Sequence, residues 1–131
     1  MTKDDLEREL SLLAGCWAYF DDVRGRVSAE LKKGPRGGGR DRDHIVRHVV
    51  FEEMHWGQKL GLPKLPKEPV FSEDGLAEHR VDYLDAIRRF HAESKMARNW
   101  PLRYLIRHSG YHTMDHAWEM EDKDLTPESQ P

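Results

Sequence analysis

The sequence predicts an all-α protein, a four-helix bundle running up, down, down, up with a long crossover between its second and third helices. Three observations lead there. Apolar residues recur at steps of three and four in four separate stretches, and none alternates with the period of a strand. The first two stretches, and the last two, are joined by short links, which favour antiparallel neighbours. The middle link, Gly61 to Phe71, carries Pro63, Pro66 and Pro69 three apart. At about 3.1 Å per residue in an extended polyproline form it spans the length of a helix, so the third helix starts at the same end as the second.

Each element has its own signature. From Asp4 to Lys33 the residues Leu6, Leu10, Leu13, Trp17, Phe20, Val27 and Leu31 form one apolar row, broken at Arg24. Gly34, Pro35 and Gly37 to Gly39 end this helix, because such residues continue a helix only at a cost. The glycine-rich basic loop, with Arg36 and Arg40, offers backbone donors to an anion but lacks the Gly-Lys-Ser/Thr ending of a phosphate loop; it reads as a helix connection. Asp41 or Asp43 caps a second helix in which Ile45, Val46, Val49, Val50, Phe51, Met54, Trp56 and Leu60 wrap much of the circumference, which makes it the expected most buried helix. Ser72 precedes the third pattern, Leu76, Tyr83, Leu84, Ile87 and Phe90, interrupted by Arg80 and fading near Met96 to Asn99. Trp100-Pro101 opens the fourth helix, since proline is tolerated in a first turn. Residues 1–123 are thus one helical domain, and 124–131 read as a frayed tail.

Composition narrows the function. The chain has 131 residues, of which 34% are charged, yet it carries four Trp, four Tyr and four Phe, enough for a folded core. With 21 Lys and Arg against 24 Asp and Glu there is no basic excess to suggest nucleic acid. No apolar run reaches the length of a membrane span and no leader pattern opens the chain, so the expectation is a cytoplasmic protein. Cys16 is the only cysteine, which rules out an internal disulfide; beside Trp17 in an apolar row it reads as an inert core thiol.

The chemistry lies in the histidines. His108, His112 and His116 stand four apart on one helix face, and two imidazoles at that spacing hold one divalent metal if a third ligand arrives from elsewhere. His48 supplies it in the crossover arrangement, in which His48 and His116 both lie about 7 Å below the same end of the bundle. Under simple alternation His116 sits about 22 Å down and no single ion reaches both. Glu52 and Glu119, one turn from His48 and His116, are placed to orient an imidazole or take a proton. His79 is a candidate fourth ligand, His108 a packing residue, and His44, His55 and His91 fall outside the site. Arg24 offers either an anion contact or, more simply, an interhelical salt bridge. Glu52-x-x-His55 has the spacing of a di-iron bundle, but no second such motif is present.

The segments HIVRHVVFEEMHW and LKKGPRGGGRDRDH, with the ending YHTMDHAWEMEDK, resemble the DinB/YfiT-like superfamily of metalloenzymes, and the resemblance runs from the first helix to Asp122. Its most specific part is a histidine early in the second helix combined with a His-x-x-x-His pair late in the fourth. The resemblance implies a dimeric four-helix bundle with the same crossover. It carries the family's metal triad onto His48, His112 and His116, binding zinc, nickel or a similar divalent ion. Characterised members include thiol-dependent S-transferases and an isomerase that use mycothiol, bacillithiol or glutathione. The expected function is a metal-dependent thiol S-transferase or hydrolase acting on a small molecule; the alternative is a non-catalytic metal- or ligand-binding dimer.

Overall fold

The computed structural model describes residues 1–34 and 39–127 and is helical throughout, with four helices packed as a bundle and no strand among the described residues. They are α1 (Lys3–Arg26), α2 (Arg42–Gly57, continued by a 3-10 turn Gln58–Leu60), α3 (Glu73–Ala92) and α4 (Leu102–Asp122). The glycine-rich part of the first connection, 35–38, and residues 128–131 of the expected tail lie outside the described residues. Among the described residues no helix is long and apolar enough to cross a membrane.

Local chemistry starts and stops the helices. Thr2 and Asp5 form a reciprocal capping box, each side chain accepting the other's backbone N–H at 3.0 and 2.9 Å. Ser72 caps α3 by accepting from Gly75 N at 3.0 Å. Pro101 is the residue just before α4 rather than within its first turn. Gly61 closes the 3-10 turn at φ +82°, a conformation glycine adopts without steric cost.

Three elements differ from expectation. Helix α1 ends at Arg26, not Lys33: Val27 is already extended, and the chain beyond it pairs with the end of α4. Ser28 N donates to Asp124 Oδ1 at 2.9 Å and Lys32 N to the Lys123 carbonyl at 2.8 Å, so tertiary partners replace the last helical turns while Val27 and Leu31 stay buried. The same bonds tie down Asp124, the first residue of the expected tail. Asp41 does precede α2, but its carboxylate accepts from Leu31 N at 3.2 Å and from Lys33 instead of capping. Helix α2 is no more buried than α4: six of its 16 residues are buried against eight of 21.

The core is two apolar clusters separated by a buried polar layer. One holds Leu10, Leu13, Trp17, Tyr83, Ile87 and Leu105, the other Phe20, Val23, Ile45, Val49, Leu76 and Met120. Between them Glu53, 4% exposed, accepts from Trp17 Nε1 at 3.1 Å and from His79 Nε2 at 2.9 Å, and Tyr83 and Ser109 share a hydrogen bond of 2.6 Å. Arginine–carboxylate pairs brace the outside. Arg24 pairs with Glu73 at 2.6 and 2.9 Å, Arg80 with Asp21 at 2.6 and 3.0 Å, Arg88 with Glu7 at 2.9 and 3.1 Å, and Arg107 with Glu9 at 2.7 Å. Helices α1 and α4 make the most extensive contact, and at their closest approach Gly110 leaves room for the Cys16 thiol.

Glu53→Ala removes the only acceptor from two buried donors. We expect a loss of about 3 kcal/mol of stability in urea unfolding, with Glu53→Gln, which keeps one acceptor oxygen, falling between it and the wild type.

Candidate metal centre

Helix α2 brings His48 to face His112 and His116 of α4, and one ring nitrogen from each can be chosen so that all three lie within 4.8 Å of one another. The ring centroids stand 5.1 Å apart for His48 and His112, 4.9 Å for His48 and His116, and 4.6 Å for His112 and His116. Two imidazole nitrogens on one zinc are about 3.3 Å apart, so small rotations of the rings close the set around an ion.

Each ring has a reason for its direction. His116 Nδ1 donates to Glu119 Oε1 at 2.7 Å, which leaves the lone pair on Nε2. His112 is hemmed in by Trp56, whose ring lies 5.2 Å away, and its Nδ1 is buried with no hydrogen-bond partner among the described residues. A buried nitrogen in that state costs about 1–3 kcal/mol unless something satisfies it, and an ion bound at that nitrogen would do so. The residues therefore fit a divalent ion: three imidazoles, one with an oriented tautomer and one with an unsatisfied nitrogen.

Electrostatics favour the neutral, ligating form. Burial, then the charges of His116, His48, His108 and Arg40, push the His112 ring down to about 4. Burial also lowers His48, helped by His116 and Arg40 and opposed by Glu52 and Glu119. For Glu119 burial works upward, but the hydrogen bonds from His116 and Lys123 outweigh it and hold the carboxyl below its usual value.

The other residues singled out in the sequence fall into place around this cluster or away from it. Glu119 touches it through His116 and also accepts from Lys123 Nζ at 3.1 Å. Glu52 is half-buried one turn from His48 and makes no hydrogen bond or ion pair among the described residues. His79 is not near the cluster's ligand set; Glu53 holds it in the polar layer. His108 packs against Trp56, Trp100 and Tyr104 at ring distances of 4.6, 5.2 and 5.6 Å. His55 and His91 donate to the backbone carbonyls of Phe51 and Met1, His44 is exposed, and Arg24 forms the salt bridge to Glu73. Cys16 is half-buried, and burial raises its thiol pKa, as befits an unreactive side chain.

The sequence placed Arg40 in the basic connection but not beside the cluster, where its Nη2 lies 3.6 Å from Glu119 Oε1, and it gave no sign of the core carboxylate Glu53. Lys123, four residues after Glu119, was legible as an i,i+4 pair. Arg40 had no local signal, because its partner is some eighty residues away.

The fold and this cluster define a helical bundle with a three-histidine candidate metal centre. Comparison of the chain with protein-family models, curated proteins and solved structures finds no match in any of the three.

Because His112 binds its proton more weakly folded than unfolded, the unfolded chain gains protons first on acidification. The metal-free protein keeps the full contribution of this ring above about pH 6.5 and loses it as pH falls toward about 4. Urea unfolding should show up to about 2 kcal/mol lost between about pH 7 and about pH 5 that is missing in His112→Gln.

Proposed function

We propose that this protein is a divalent-metal enzyme of the thiol S-transferase or hydrolase type, its ion held by His48, His112 and His116. The observation that carries the reading is the convergence of these rings from two helices, with Glu119 orienting one of them. Three neutral ligands with no protein carboxylate among them leave coordination positions open, as in catalytic rather than closed structural sites. Zinc or nickel suits such a nitrogen set. A divalent ion held by these three histidines would supply the Lewis acidity that makes a thiol or water nucleophilic near neutral pH. Glu52, without a partner of its own among the described residues, is the proton acceptor, and Glu119 keeps His116 in its ligating tautomer. A small electrophile such as an ester or epoxide is the second substrate, and the lone cysteine goes with a cytoplasmic setting.

The proposed topology is up, down, down, up. Its support is the set of pairs at the helix ends: Arg24 late in α1 with Glu73 at the start of α3, Glu7 early in α1 with Arg88 late in α3, Glu9 with Arg107 early in α4, and Ser28 with Asp124 after α4. The rings of His48 and His116 meeting at one level favours it too. This arrangement, with the triad, is the one that the resemblance to the DinB/YfiT-like superfamily implies.

Purified wild-type protein should carry about one divalent ion per chain by elemental analysis, and His116→Ala almost none; unchanged content in the variant refutes the site. Glu119→Gln should weaken metal affinity about 10- to 100-fold while leaving the fold intact. Turnover of a thiol with an ester or epoxide that stops on chelation supports the enzyme reading.

The outer face of α4 favours a dimer, the state that the enzyme reading shares with the alternative of a metal-binding dimer without turnover. Tyr104, Tyr111 and Trp118 recur there every seven residues, 51%, 68% and 50% exposed, beside Leu12 of α1 at 62%. The stripe is evenly spaced about Tyr111, so two α4 helices crossing antiparallel there would cover it with itself, as a two-fold interface requires. Trp118→Glu should convert a dimer into a monomer in light scattering at micromolar concentration; a wild type that is monomeric there removes this interface.

A further inference from the structure

Arg40 stands at the rim of the histidine cluster, where the first connection enters α2. The preceding Gly39, at φ +128°, gives the chain a conformation that other residues rarely adopt. The Arg40 side chain is 31% exposed, and its Nη2 lies 3.6 Å from Glu119 Oε1, too far for a hydrogen bond. The same oxygen already accepts from His116, and the other from Lys123. One carboxylate is thus shared by two permanent cations and an imidazole, and Lys123 holds the better position. Arg40 has no nearer acid among the described residues, and its charge is felt at both His48 and His112.

The charge balance points outward. Arg40 and Lys123 offset Glu119 and Glu52, and the three ligands are neutral, so the charge of a bound divalent ion has no counterpart in the protein. Whatever completes the site should bring negative charge. A planar guanidinium that is close to the cluster and makes no hydrogen bond among the described residues matches a carboxylate, which it can grip with two parallel hydrogen bonds.

We propose that Arg40 sets the substrate class of this centre: a ligand with one donor atom for the metal and a carboxylate that pairs with the Arg40 guanidinium. This rests on the three histidines holding a metal, and the test keeps the two ideas apart. Cobalt(II)-loaded protein is titrated with 3-mercaptopropionate and with its neutral amide, 3-mercaptopropionamide, following the thiolate-to-cobalt absorption band. The wild type should bind the acid about ten-fold more tightly than the amide, as one charge-assisted pair provides. Arg40→Gln should bring that ratio close to one without changing cobalt content or amide affinity, and Arg40→Lys should keep part of it. An acid-to-amide ratio equal in wild type and Arg40→Gln overturns the assignment, as does equal weakening of both thiols, which marks a purely structural role through Glu119. Failure of the wild type to take up cobalt or to show the thiolate band overturns the metal reading and this proposal with it.

Discussion

The carboxylate of Glu53 is the constraint on which the rest of the bundle turns. It sits in the core, and its two oxygens take hydrogen bonds from Trp17 on α1 and His79 on α3. Apolar surfaces can slide or rotate by a residue at modest cost, but a buried carboxylate that loses its donors is left uncompensated in a low-dielectric interior. Glu53 therefore fixes the rotation of α2 about its own axis. Five residues earlier, about 140° around the helix, His48 is thereby turned to α4. The separation of the apolar core into two clusters, with Tyr83 and Ser109 bonded at the same level, extends this polar layer across α3 and α4.

The histidine cluster is built differently. Among the described residues the only acid bonded to it is Glu119, which touches one ring from behind, and burial lowers the basicity of His48 and His112. Neutral nitrogen ligands in a partly dry setting suit a cation that stays reactive, because the protein does not cancel its charge. Trp56 and His108, packed edge to face beside His112, wall the cluster along α4. The two polar centres thus differ in kind: the Glu53 layer gives register, and the histidine cluster is a candidate metal centre.

The connection after α1 bears on the site indirectly. After α1 stops, residues 28–32 lie against the end of α4, and bonds from Ser28 and Lys32 to Asp124 and Lys123 hold that end in place. Lys123, in the same turn, reaches back to Glu119. A connection with the pattern of surplus helix in the sequence therefore anchors the residues behind His116.

By itself the sequence determined the features that local periodicity encodes: four helices, the start of the third after Ser72, the break at Gly61, and a candidate triad of His48, His112 and His116, since spacing along a helix fixes the face on which a residue lies. It also held the stripe of exposed aromatics on α4, once the buried face was known. Only the tertiary structure decided the contacts between residues far apart in the chain. The pairing of Glu53 with Trp17 and His79, the early end of α1 at Asp124, and the approach of Arg40 to Glu119 have no periodic trace. A lone acid or arginine in a helical pattern reads as solvated surface until the fold supplies its partner. Burial, and with it the depressed basicity of His112, is a property of the packed chain and not of the order of its residues.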